Sequence, residues 1–185
     1  MGKIILFNMM TIDGFFEGPD KEIDWHNVDN EFNTFAVEQL SNASALIFGR
    51  LTYELMAGYW PTAVAQSDDP IVAEKMNAIQ KIVFSKTLDK TDWNNTRLIK
   101  KNIEHECKNL KQQSDHDVFI FGSANLASAL IDLDLIDEFR IMINPIILGQ
   151  GNVLFKPSNG RLNLRLINIR SFKSGNVLLY YEPSR

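Results

Sequence analysis

The chain has 185 residues, 45% hydrophobic and 23% charged, a balance that excludes a disordered polymer and leaves room for one full hydrophobic core. Its 19 basic and 23 acidic residues give a net charge of −4 with no run of Lys or Arg, which argues against nucleic acid as the main partner. A single cysteine, Cys107, rules out an internal disulfide, the three histidines (His26, His105, His116) lack metal-ligand spacing, and no apolar run is long enough to span a bilayer.

In chain order, residues 3–10 form a short apolar run with no cleavage-site pattern, which predicts a buried first strand rather than a leader and hence a cytoplasmic protein. The run ends in the turn Thr11-Ile12-Asp13-Gly14. Phe32, Phe35, Ala36 and Leu40 then repeat at helical spacing, with Glu31, Asn33 and Glu38 off the stripe. Residues 45–48 predict a strand stopped by Gly49, followed by a helix carrying Leu51, Leu55, Met56 and Tyr59. Asp69-Pro70 is an N-cap with proline at the first helical position, ahead of the stripe Val72, Met76, Ile79. Strands are predicted over 81–85 and 97–100. The helix after them places Ile103, Cys107 and Leu110 on one face, so Cys107 reads as an inert core thiol.

Residues 117–121 predict a strand closed by Gly122, with a helix through Ala127, Leu130 and Ile131. From Ile136 the pattern turns to strands over 138–143 and 145–151 and in two segments joined by Lys173-Ser174-Gly175-Asn176. In the first of these segments Leu162, Leu164 and Leu166 alternate before the phase slips to Ile167 and Ile169, as at a bulge; in the second, Val177, Leu179 and Tyr181 alternate. The whole, residues 1–185, reads as a single α/β domain with a mostly parallel sheet and an antiparallel C-terminal hairpin.

Open α/β sheets bind ligands at the carboxyl ends of their strands. Two such ends carry glycine, in Phe48-Gly49-Arg50-Leu51-Thr52 and Phe121-Gly122-Ser123-Ala124-Asn125. Glycine lets the backbone approach a phosphate, the free N–H groups of the next helix favour an anion, and Arg50 adds a guanidinium. A third end, Ser85-Lys86-Thr87, is polar with one more positive charge. Three such ends suit a dinucleotide, although glycine also serves plain strand-to-helix turns and no GxGxxG is present.

Taken together, Thr11-Ile12-Asp13-Gly14-Phe15, Asp24-Trp25, Ile47-Phe48-Gly49-Arg50-Leu51-Thr52-Tyr53, Val83-Phe84-Ser85-Lys86-Thr87, Ile120-Phe121-Gly122-Ser123, Leu135-Ile136-Asp137-Glu138 and Pro145-Ile146-Ile147-Leu148-Gly149-Gln150-Gly151 resemble, in order and spacing, the dihydrofolate reductase-like proteins. The resemblance is strongest to the branch with the reductase domain of bacterial riboflavin biosynthesis. It implies a dihydrofolate reductase-like three-layer sandwich and NADPH as cofactor. Gly49, Arg50 and Thr52 match the segment holding the pyrophosphate and adenosine phosphate, and Ser85, Lys86 and Thr87 the strand end near the adenosine 2′-phosphate. Gly122, Ser123, Ala124 and Asn125 match the glycine turn under the pyrophosphate, and Gly149 and Gly151 the loop beside the nicotinamide. Asp13 matches the first-loop acid, expected to orient substrate or relay a proton, with a pKa raised by an apolar cleft. Phe15, Phe16, Trp25, Tyr59 and Trp60 are expected to wall that cleft, with Phe15, Trp25 and Tyr59 on the substrate.

Two departures shape the substrate expectation. Where dihydrofolate reductases carry an acid on the first helix this chain has Asn30, and where riboflavin reductases carry Arg after the Asp-Gly it has Phe15. The expected activity is NADPH-dependent reduction of a small planar heterocycle or aromatic with little charge. The alternatives are reduction of the phosphoribosylamino-uracil of riboflavin synthesis, dihydrofolate reduction, and NADPH binding without turnover. A homodimer is expected, from the family and from a C-terminal hairpin edge with few charges between Val177 and Tyr181.

Overall fold

The N-terminal apolar run becomes β1 (Ile4–Thr11), and in the computed structural model it lies inside the main sheet with a parallel neighbour on each side. The structure describes residues 1–113, 115–156 and 160–184. After β1 come a short strand β2 (Phe15–Glu17), helix α1 (Asn30–Ser41), β3 (Ala43–Gly49), α2 (Arg50–Tyr59), α3 (Ala63–Asp68) and α4 (Pro70–Ala78). These lead to β4 (Gln80–Phe84), β5 (Thr96–Ile99), α5 (Ile103–Gln113), β6 (Asp117–Phe121) and α6 (Ala124–Asp132). The chain closes with β7 (Glu138–Asn144), β8 (Asn152–Val153), β9 (Leu164–Ser171) and β10 (Val177–Pro183).

The sheet runs β5-β4-β3-β6-β1-β7-β10-β9, parallel as far as β7 and antiparallel for the last two strands, as the alternation of elements predicts. Its inner strands are apolar on both faces because helices cover both. Ile4, Leu6, Ile47, Ile82 and Ile120 meet Cys107 and Leu110 of α5 and Leu126, Ala127 and Leu130 of α6. Ile5, Leu46, Phe48, Val83 and Phe119 meet Leu40 of α1, Tyr53 of α2, and Val72 and Met76 of α4. Cys107 is fully buried and burial pushes its thiol up to about 12, which makes it unreactive at neutral pH.

Local sequence explains the boundaries. Asp29 caps α1 by accepting from the Phe32 amide, and Asp69 caps α4 by accepting from Val72, with Pro70 at the first helical position as predicted. The phase slip at Leu166–Ile167 is a bulge, with Leu166 opposite Tyr181 and Asn168 opposite Tyr180. Lys81, fully buried, ends α4 by donating to the carbonyls of Met76, Asn77 and Ile79 and lies over the Trp93 ring.

Two expectations are corrected. Residues 145–151 are not a strand: Pro145 brings no N–H, Gly149 takes φ +80°, and only Asn152–Val153 pairs, antiparallel to β2, in a small ribbon with no counterpart in the predicted elements. The open edge of the hairpin is β9 and not the stretch Val177–Tyr181, because β10 is paired on both sides.

Candidate active site

The site begins where the sheet divides. β1 pairs with β6 only from Ile4↔Val118 to Phe7↔Phe121, while its pairing with β7 continues to Thr11↔Asn144. Beyond Phe7 and Phe121 the two strands part, and Gly122 leaves the sheet at φ +63°. A cleft of about 790 Å³ opens at this seam and reaches between α1, α2 and α4, with Phe7, Asn8, Phe32, Met56, Trp60 and Gly122 among its walls. It is mostly apolar in lining, with Glu17, Asp68 and Asp69 as its carboxylates and no Lys or Arg among the described residues on it.

The two glycine turns predicted from the sequence lie side by side at one end of this cleft. Ile47 is in register with Ile120, so Gly49 and Gly122 stand level two residues further on. A Cβ on Gly49 would sit 2.1 Å from Ser123 Oγ, and one on Gly122 would sit 3.0 Å from Thr52 Oγ1, so each turn packs against the first residues beyond the other. Gly49 and Ser123 are the N-caps of α2 and α6, and neither helix has a side-chain cap. Gly122 and Ser123 are both left-handed, at φ +63° and +65°, which turns the chain sharply from the end of β6 into α6. Uncapped first-turn amides of two helices converging on one strand-end level are the donor set an anionic pyrophosphate needs.

The third strand end is level with them, since Gly49 pairs with Phe84. Ser85 is buried there and its Oγ accepts from the amides of Thr87 and Leu88, so this hydroxyl shapes the turn, while Lys86 is exposed. Arg50 is exposed and paired with both carboxylate oxygens of Glu54 at 3.1 Å, one helical turn on. Thr52 lines the cleft; Ala124 is buried at the start of α6, and Asn125 is exposed and accepts from Lys156.

Asp13 is corrected. Its carboxylate is exposed, accepts from the amides of Leu148 (3.2 Å) and Gly149 (2.8 Å), and does not line the cleft. A hydrogen bond from Thr11 and those two amides hold its pKa below the usual aspartate value, the reverse of the expected rise. Asp13 is a clamp between the first loop and the loop after β7. Gly149 supplies one of the clamped amides, and Gly151 packs so closely that a Cβ would lie 2.5 Å from the Glu17 carbonyl.

Of the predicted substrate aromatics, Tyr59 lines the cleft with Phe16 and Trp60, whereas Phe15 and Trp25 do not. Phe15 is half-buried in β2 opposite Val153, and Trp25 packs beside Phe32 with the Met9 and Phe35 cluster. Sequence reasoning missed Asn8, His26 and Phe32. Asn8 stands out as the one polar residue inside the run of residues 4–10, and Phe32 reads in the sequence only as part of a helical stripe. His26 gave no pattern at all. Its ring lies edge-on to Trp25 at 4.6 Å, and burial pushes its pKa down to about 4, so it is a neutral imidazole at physiological pH.

Comparison with known proteins accords with this geometry. The family model of the RibD C-terminal domain matches residues 2–178. The uncharacterized protein YyaP of Bacillus subtilis is 34% identical over 184 residues, spanning 97% of this chain and 94% of its own. Among solved structures, a protein of Shewanella sp. PV-4 assigned to riboflavin biosynthesis superposes with a TM-score of 0.77 at 21% identity over 99% of both chains. Dihydrofolate reductase from Enterococcus faecalis, in complex with NADP(H) and RAB-propyl, gives 0.68 at 12% identity over 100% of this chain and 98% of its own. The fold is the dihydrofolate reductase-like one. Among the described residues no helix is long and apolar enough to cross a membrane, and no cluster of His, Cys, Asp and Glu has the makings of a metal site.

Proposed function

Because the chain belongs to the RibD C-terminal domain family, we propose that it is a reductase that uses NADPH to reduce a small, flat heterocyclic or aromatic substrate. The observation that carries this reading is the pair of level glycine turns, with their uncapped helix N-termini, opening directly onto an apolar cleft. NADPH, when bound, supplies a hydride.

The chain's own residues do the rest. The amides that follow Gly49 and Gly122 hold the pyrophosphate, with Thr52 between the two turns. Arg50 and Lys86 meet the 2′-phosphate, Arg50 by exchanging Glu54 for it, and this favours NADPH over NADH. Phe16, Phe32, Tyr59 and Trp60 give the substrate ring apolar faces to lie against and exclude water from around it. Asp13 keeps the first loop docked on Leu148 and Gly149 and so fixes the cleft's outer rim.

The protein acts as a cytoplasmic homodimer in this reading, joined through β9, whose Leu164, Leu166, Ile167 and Ile169 are exposed on the open sheet edge. The reading is tested by following NADPH consumption against a panel of uncharged planar heterocycles, with dihydrofolate and the phosphoribosylamino-uracil of riboflavin synthesis alongside. Turnover of an uncharged heterocycle that exceeds both named substrates is expected. Nucleotide binding without consumption in any member of the panel would refute the enzyme reading.

A further inference from the structure

Helix α2 serves both halves of the site: it begins at the Gly49 turn, and its far end sets Tyr59 and Trp60 in the cleft wall. The carbonyls of that last turn are satisfied one by one. Met56 accepts from the Trp60 amide at 3.0 Å, and Tyr59 from the amide and hydroxyl of Thr62 at 3.0 and 2.7 Å. The Trp60 carbonyl accepts from a different element, Asn77 Nδ2 on α4, at 2.9 Å.

Asn77 does not line the cleft, yet its carboxamide is fully employed behind it. Nδ2 donates a second time, to the Ala73 carbonyl at 2.8 Å, and Oδ1 accepts from Trp93 Nε1 at 2.7 Å. Trp93 is itself fixed. Its amide and that of Asp92 donate to the Tyr53 hydroxyl at 3.1 Å, and its ring stacks on Phe48 with the Lys81 ammonium 4.4 Å from the centroid. Helix α2 is thus tied at Tyr53 and again about two turns on at Trp60, both times to the bracket that Asn77 and Trp93 make. A carboxamide that served α4 alone would need only the bond to Ala73, one turn back. The Trp60 indole is tied within its own helix, donating to Met56 Sδ at 3.1 Å and meeting the Tyr59 ring edge-on at 5.0 Å, so these three side chains move with the end of α2. Apolar packing is non-directional, whereas hydrogen bonds on a planar carboxamide fix distance and direction together.

We propose that Asn77 is the positioning residue of the cleft's aromatic wall: it places Trp60, and with it Tyr59 and Met56, against a bound ring without touching that ring. This deepens the reading of the cleft as the substrate site of a reductase and rests on it.

Two variants isolate the tie. Asn77→Asp keeps the acceptor for Trp93 and loses both donors; Asn77→Ser keeps the bond to Ala73, as helical serines do, and is too short to reach Trp60. Both lose the donor to Trp60, and either suffices if the other does not fold by circular dichroism. The probe is Nile red, an uncharged planar dye whose fluorescence reports binding to the native chain, to each variant, to Trp60→Ala and to the double variants. Each Asn77 variant is expected to bind the dye about tenfold more weakly, roughly one hydrogen bond's worth, while NADPH affinity changes less than about twofold. In the Trp60→Ala background the same substitutions should change dye affinity by less than about twofold, because Asn77 acts through that residue. Fluorine NMR of protein carrying 5-fluorotryptophan reads the placement directly: the Trp60 line should shift in both variants, the Trp93 line should hold in Asn77→Asp, and the Trp25 line should hold in both. A purely structural Asn77 lowers thermal stability and leaves dye affinity and the Trp60 line alone. No dye binding by the native chain, unchanged dye affinity in a folded variant, equal losses with and without Trp60, or an unmoved Trp60 line would overturn the proposal. Dye binding coupled through Trp60 in a protein that binds neither NADPH nor NADH would refute the reductase reading alone. NADPH binding with dye affinity indifferent to Asn77 would refute this one alone.

Discussion

Acidification should cost this protein stability through His26 before its carboxylates titrate. The imidazole is mostly buried against Trp25, Nε2 has no partner among the described residues, and burial alone pushes the pKa from 6.5 to about 4. In the window between those values the unfolded chain holds a proton that the native chain refuses, so stability falls as pH drops through 6.5 and the loss is complete near pH 4. At 1.36 kcal/mol per pK unit the loss approaches about 3 kcal/mol, a large share of a marginal stability of roughly 5–15 kcal/mol. Urea unfolding of the native chain and of His26→Gln, measured at intervals from pH 7 to pH 4, isolates it. The carboxylates with lowered pKa, such as Glu138 and Asp13, contribute equally to both proteins. The difference between the two curves should change by about 3 kcal/mol across the window, in favour of the variant at the acid end. Parallel curves would show that the native imidazole takes up a proton freely, and the account of a dry, unpaired His26 would be wrong.

Other expectations follow from single contacts. Gly49→Ala should lose about 1–3 kcal/mol of stability, as overpacking does, because its Cβ meets Ser123 Oγ; Gly49→Ala with Ser123→Gly should recover most of it in thermal unfolding, since glycine also suits φ +65°. Asp13→Asn should speed hydrogen exchange at the Leu148 and Gly149 amides while changing NADPH affinity little, because Asp13 clamps loops and does not line the cleft. Ile169→Lys, at the most exposed of the β9 apolar positions, should shift sedimentation from dimer to monomer without unfolding the domain.

Much of the fold was legible because parallel strands covered on both faces read as unbroken apolar runs, and β1, β3, β4 and β6 each match a predicted run to within three residues at either end. The glycine turns were legible for the same local reason: a strand ending in glycine before a helix leaves its signature in a few consecutive residues. The bulge at Ile167 was written in a phase slip. What escaped depends on contacts far along the chain. Asp13 looked like a cleft acid until the loop 135 residues further on supplied its two amides. The triplet Ile146, Ile147, Leu148 is apolar enough to imitate a strand, and only the geometry of Pro145 and Gly149 shows that it cannot pair as one. The strand order that hides β10 and exposes β9 is a property of the assembled sheet, and alternation in each strand is blind to it. His26 has no periodic or spacing signal; its role exists only because the segment before α1 folds over the cleft.

The central claim is that the level strand ends at Gly49, Phe84 and Gly122 carry a phosphorylated dinucleotide. It is tested most directly by titration calorimetry of the native chain with NADPH and with NADH, repeated on Lys86→Ala. NADPH should bind about ten- to a hundredfold more tightly than NADH, as one charge-assisted hydrogen bond of roughly 1.5–3 kcal/mol gives, and the variant should lose most of that margin while its NADH affinity holds. Equal affinity for the two nucleotides in the native protein, or binding of neither, would contradict it.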